Sequence, residues 1–172
     1  MQEKSLFRED SSQNLVKVIK SENRMREIHL EYLEHFFAGK KKQKFSHISQ
    51  ILKNLSCLQA VSLKFQDCSR MTDTDLYHTS QGLQRISGLK TVVLHLFLYK
   101  KFTDNGIYRL GKSLRRLSSL KKLSVKLDFS PKMTAKSLEL FGKSLKKLAS
   151  LSTLTLNFDI GFLYQEEFTS IS

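Results

Sequence analysis

The chain repeats itself at a fixed period of 31, set by the evenly spaced Leu58, Leu89, Leu120 and Leu151, and few folds are compatible with such a period. Residues 72–96, 103–127 and 134–158 align without a gap, and one more step back places an equivalent block near Phe45. Each column keeps its chemistry. Phe45, Leu76, Ile107 and Leu138 form one, Leu52, Leu83, Leu114 and Leu145 a second, and Leu55, Ile86, Leu117 and Leu148 a third. A unit this short cannot bury its apolar face alone, so units of this kind stack and share a continuous core.

Within each unit the hydrophobic period changes. Ile107, Leu110, Leu114 and Leu117 fall on one face of a helix, which the spacing predicts over 107–117. Leu123, Val125 and Leu127 then alternate, as do Val61, Leu63, Phe65 and Leu154, Leu156, Phe158, so these are short strands. Thr72-Asp73 and Thr103-Asp104 put side-chain oxygens where a helix needs its N-cap. The unit is therefore strand, loop, cap, helix, tight turn, strand, and successive strands are parallel with right-handed crossovers. Strands lie about 4.8 Å apart and helices about 10 Å apart, so the stack bends. The expected fold is an α/β solenoid, a horseshoe segment with its parallel sheet on the concave side and its helices on the convex side. Ser49, Ser80, Gly111 and Gly142 form a column of small residues where neighbouring helices approach closely.

A degenerate earlier copy is visible at a spacing of 33, where Leu15, Ile19, Met25, Ile28, Leu30 and Tyr32 match the same columns. Residues 33–44 then form a longer loop. The predicted organisation is a frayed tail over 1–10 and one domain over 11–172. That domain holds a degenerate repeat at 11–40, repeats starting near 41, 72, 103 and 134, and an incomplete last one.

The strand segments read L-x-x-L-x-L-x-[LF], as in Leu120-Lys-Lys-Leu-Ser-Val-Lys-Leu127 and Leu151-Ser-Thr-Leu-Thr-Leu-Asn-Phe158. This resembles leucine-rich repeats. Thr103-Asp104-Asn105-Gly106 followed by its helix is similar to the long, ribonuclease-inhibitor-like subclass, and the resemblance spans residues 11–165. That family usually sets Asn or Cys shortly after the strand, where the side chain bonds neighbouring loop backbones. Phe65-Gln66-Asp67-Cys68 and Leu127-Asp128-Phe129-Ser130 carry no such ladder. The resemblance implies a non-catalytic scaffold for protein–protein interaction, and it also fits a regulatory repeat domain of a larger enzyme such as a kinase. No kinase motif occurs in the chain.

Alternation assigns the concave side chains. Lys64, His95, Lys126 and Asn157 form one column, and Gln66, Phe97, Asp128 and Asp159 run beside it. Ser62, Val93, Ser124 and Thr155 form the nearer column. Such a floor suits a protein partner, and the competing reading is an ordinary solvated strand surface. The convex helices carry two basic clusters, Lys112, Arg115, Arg116 and Lys143, Lys146, Lys147. Residues 1–34 sum to a net charge of −1 and the remainder to +14, so the positive charge belongs to the array. These clusters point to RNA, DNA or another acidic surface as an alternative partner, although a basic helix face also serves solubility alone. The aromatic residues fall mostly in core columns, so no stacking platform for single strands is evident.

Gly106-Ile-Tyr-Arg-Leu-Gly111-Lys112-Ser113 matches the phosphate-loop expression G-x-x-x-x-G-K-[ST]. Its chemistry needs a loop between strand and helix, whereas Ile107 and Leu110 already occupy helix columns. The five histidines show no metal spacing, and no nucleophile motif appears. No enzyme activity, cofactor or metal is therefore expected. No run approaches the roughly 18 apolar residues of a membrane helix, and the first residues lack a signal-peptide core. Two cysteines suit a reducing compartment, and the expected location is intracellular, in the cytoplasm. After Phe158 come Ile160-Gly161-Phe162-Leu163-Tyr164 and a partial helix over 166–171, without a polar closing unit. This C-terminal edge leads to an expectation of a longer parent protein, self-association, or docking onto another subunit.

Overall fold

The computed structural model describes residues 5–8, 25–33, 46–53, 55–66, 71–97, 101–128 and 132–159. Among these residues six strands form one parallel sheet whose spatial order follows the sequence. They are β1 (Ser5–Arg8), β2 (Glu27–Leu33), β3 (Ala60–Gln66), β4 (Thr91–Leu96), β5 (Lys122–Asp128) and β6 (Thr153–Asp159). Among the described residues four helices alternate with the later strands: α1 (Ser46–Lys53), α2 (Asp73–Leu83), α3 (Asp104–Leu114) and α4 (Ala135–Leu145). Each helix packs on the next helix, and each strand pairs with the next strand.

The repeat columns are the sheet register. Ile28, Val61, Val92, Leu123 and Leu154 align across β2 to β6, and Leu30, Leu63, Leu94, Val125 and Leu156 align two positions on. From β2 to β5 these side chains are buried against Leu76, Leu83, Ile107, Leu110 and Leu114 of the helices. On β6 the same columns meet no further described repeat, and Leu154 and Leu156 are 46% and 38% exposed. Just before each strand, one carbonyl accepts two consecutive amides of the following repeat. Arg26, Gln59, Lys90 and Lys121 play this part in turn, at 2.7–3.0 Å. A device that recurs at a fixed position pins the register as firmly as the side chains do.

The residues expected to form a tail include β1. Ser5 and Phe7 of β1 pair in register with Ile28 and Leu30. The tail expectation therefore fails over Ser5–Arg8, because an edge of unpaired backbone groups on β2 accepts a further parallel strand. The helical part of the degenerate repeat, most of the 33–44 loop and the segment after Asp159 lie outside the described residues.

The helices are shorter than their apolar period. The last three end at Leu83, Leu114 and Leu145, and the expected helix over 107–117 is corrected accordingly. Leu117 and Leu120 stay in the core through tight turns, with Leu117 N donating to Leu114 O and Leu120 N to Leu117 O. Apolar spacing continues through those turns, so periodicity alone overshoots the helix end.

Small residues set the helix spacing through two interlocking columns. Ser49 of α1, Ser80 of α2 and Gly111 of α3 face Gly82 of α2, Ser113 of α3 and Ser144 of α4 respectively. A Cβ added at Gly82 would sit 2.9 Å from Ser49 Cα, and one at Gly111 would sit 3.0 Å from Ser144 Cβ. Between them the Ser80 and Ser113 hydroxyls share a hydrogen bond at 3.1 Å. Gly142 belongs to the first column by spacing, but a Cβ there would meet nothing within 4 Å. The expectation of close approach fails at Gly142, because no described helix follows α4.

Candidate functional site

The sheet face opposite the helices carries the side chains that alternate with the core. Its main row runs straight across five strands: Glu31, Lys64, His95, Lys126 and Asn157 are cross-strand partners in successive ladders. Parallel strands sit about 4.8 Å apart, so Lys64, His95 and Lys126 form a contiguous row. Glu31 belongs to this row although the candidate residues omit it; its signal was the longer offset of the degenerate repeat, 33 instead of 31. Its carboxylate accepts from Gln66 Nε2 at 3.1 Å and closes the row on that side.

Phe97 follows β4, and its amide donates to Phe65 O at 3.1 Å, which continues the ladder one position beyond the strand. That bond holds the ring over the sheet face. Lys126 Nζ lies 5.1 Å from the Phe97 ring centroid, a cation–π geometry. The His95 ring stands edge-on to Phe97 at 5.9 Å. Asp128 and Asp159 align on β5 and β6 and border the cluster with negative charge. All eight expected concave residues thus share one face: Lys64, Gln66, His95, Phe97, Lys126 and Asp128 are half-buried, and Asn157 and Asp159 are exposed.

Partial burial holds the His95 imidazole below its ordinary pKa, and the nearby positive charges of Lys64 and Lys126 act in the same direction. The ring is therefore neutral near pH 7. A neutral imidazole between two ammonium groups, beside an aromatic face, forms a patch that accepts carboxylate, carbonyl and aromatic groups.

The basic residues expected on one convex helix face are arranged differently. Lys112 and Lys143 stand in the last turns of α3 and α4, Arg115 and Lys146 are the C-caps, and Arg116 and Lys147 lie in the turns beyond. The clusters therefore gather at helix C-termini, where cations meet the negative end of the helix dipole. That interaction favours basic residues here irrespective of any ligand. Lys143 is further engaged with Glu139 one turn back, an exposed pair whose hydrogen bond holds the Glu139 carboxyl below the usual range.

The helix N-termini hold a feature that the sequence reading missed. Asp73 Oδ1 accepts from Thr103 N at 3.0 Å, and its Oδ2 from Thr103 Oγ1 at 2.5 Å. One repeat on, Asp104 binds Thr134 N and Oγ1 in the same way, both at 2.7 Å. The first residues of α2 and α3 thus each fasten the N-cap of the following helix. Thr103 and Thr134 meanwhile cap their own helices, accepting from Asn105 N and Lys136 N. At Thr72 the helix's own Asp75 serves instead, accepting from Thr72 N at 2.9 Å and Thr72 Oγ1 at 2.7 Å. Gly106 stands where α2 has Asp75, and a Cβ there would lie 2.2 Å from Asp73 Oδ1. Glycine leaves the space through which the preceding repeat's carboxylate reaches Thr103. This ladder joins neighbouring units, the role that an Asn ladder after the strand plays in the family that the chain resembles.

The phosphate-loop expression lies entirely within α3, from Gly106 to Ser113. Among the described residues no group of three His, Cys, Asp or Glu side chains is placed to hold a metal ion. No helix among them is long and apolar enough to cross a membrane.

No protein-family model matches the chain, and no curated protein matches it. Among solved structures it is similar to one titled Leiomodin-1 Actin-Binding Site 2, with a TM-score of 0.62 at 14% identity over 89% of this chain and 83% of that one. That likeness in shape, added to strands and helices stacked at the sequence period, decides the architecture. The fold is a leucine-rich-repeat solenoid. The two long surfaces of this solenoid are the open sheet face with its Lys64–His95–Lys126–Phe97 cluster and the outer side of the helices.

Proposed function

We propose that the chain is a non-catalytic protein-interaction scaffold that engages its partner on the open sheet face, and that its repeats are of the ribonuclease-inhibitor-like subclass. The observation that carries this reading is the Phe97 ring, fixed beside His95 and Lys126 instead of being packed into the core. An aromatic anchor ringed by polar and charged groups is the composition of an interface centre. The shape likeness to a structure named for actin binding supports a protein partner in general terms, and makes actin the first candidate to test.

The test compares the wild-type chain with Phe97→Ala and Lys126→Glu variants in affinity capture at high salt after nuclease treatment, with co-sedimentation on actin as a separate arm. The expected result is a protein retained by the wild type and lost by both variants, whose melting curves stay cooperative. Partners retained equally by the variants would move the interface off this face.

A further inference from the structure

A groove of about 480 Å³ opens on the helix side between α2 and α3. Its volume falls within the usual range of ligand sites, about 300–1,000 Å³. Every charged side chain lining it is a cation (Arg109, Lys112 and Arg116), and no carboxylate is among the lining residues. Two tyrosines, Tyr77 and Tyr108, line it as well. They occupy the same repeat column on adjacent helices, one full period apart.

Two of these cations stand against the rings. The Arg109 guanidinium lies 5.2 Å from the Tyr77 ring centroid and donates through Nε to Asn105 Oδ1 at 3.2 Å. That bond uses one of the five guanidinium donors and fixes the plane of the rest. Lys112 Nζ stands 6.0 Å from the Tyr108 ring. Tyr108 itself is 39% exposed. Cations interleaved with an exposed aromatic ring in a groove are what single-stranded nucleic acid requires, phosphates meeting the charges and bases stacking on the ring.

We propose that this groove binds single-stranded nucleic acid, with phosphates on Arg109, Lys112 and Arg116 and a base stacked on Tyr108. An acidic peptide would use the charges but would leave the tyrosine face without a role. The strong positive charge of the array, +14 over residues 35–172, favours a polyanion over a single small anion. The site lies on the side of the sheet opposite Phe97, and the two faces are independent.

The test is fluorescence anisotropy with a labelled oligouridylate twelve-mer at two salt concentrations. Saturable binding is expected. The double variant Lys112→Gln with Arg116→Gln should weaken it at least about 10-fold and lower the slope of log affinity against log salt by about 1.4. Tyr108→Leu, at an exposed position and with circular dichroism confirming the fold, should weaken it about 5- to 100-fold with the slope unchanged. Phe97→Ala should bind as the wild type does. Absent saturable binding, undiminished affinity in Tyr108→Leu, or equal competition by polyglutamate or by a tyrosine-phosphorylated peptide would each overturn the proposal.

Discussion

Replacing Gly106 with alanine sets two effects of opposite sign against each other. Alanine in a helix is worth up to about 1 kcal/mol over glycine. The new Cβ, however, occupies the place of Asp73 Oδ1, at 2.2 Å, and expels the carboxylate from Thr103. Two hydrogen bonds to a charged acceptor are lost, at 3.0 and 2.5 Å. Such bonds contribute about 1.5–3 kcal/mol each when buried, and these part-buried ones together contribute about 2 kcal/mol. G106A is therefore expected to destabilise by about 1 kcal/mol net. In a chain already carrying Asp73→Ala, no carboxylate remains to be displaced. There the same Gly106→Ala change should become neutral or mildly stabilising, giving a coupling of about 1–2 kcal/mol. Urea denaturation of the four proteins, followed by circular dichroism, measures the cycle. If the two changes add to within about 0.5 kcal/mol, the claim that Gly106 exists to admit Asp73 is refuted.

Two further outcomes follow from the same structure. Gly82→Ala should destabilise by about 1–3 kcal/mol, because its Cβ meets backbone at Ser49 Cα, whereas Gly142→Ala should stabilise by up to about 1 kcal/mol in open space; matched denaturation curves check the contrast. His95 has a folded pKa held below its ordinary value of 6.5, so between the two the unfolded chain binds more protons. Stability is then expected to fall as pH drops below about 6.5, and His95→Gln should flatten that dependence in melts recorded between pH 7.5 and pH 5; an unchanged profile would show that the ring is not the group responsible.

What the sequence made legible was whatever is periodic. The columns Ile28 to Leu154 and Leu30 to Leu156 are the sheet register itself, and the alternating residues between them mark the open face. Features off the period, or with a sufficient local explanation, stayed hidden. In β1, Ser5 pairs with Ile28, an interval too short to hold a complete repeat, so no column leads back to this strand. Asp73 reads as a favourable first-turn acid in its own helix, and nothing local says that its partner is Thr103 of the next repeat. Arg115 and Arg116 continue a helical spacing on paper, because Leu117 remains apolar after the helix has ended. Tyr108 passed unnoticed for a different reason: most aromatic residues fall in core columns, whereas its own column also holds Ser46, Tyr77 and Glu139, and the packed structure shows it at the surface.

The carbonyls of Arg26, Gln59, Lys90 and Lys121, each clasping two amides of the unit that follows, bear on how such a chain tolerates insertions. Adding a single amino acid within a strand would turn its core side chains outward and misalign the clasp. Adding one complete repeat would restore every contact, since each unit would find the same neighbour on either side. Duplication of a whole unit is thus a smaller structural change than the smallest possible insertion, and arrays of this kind are expected to differ in length by complete units.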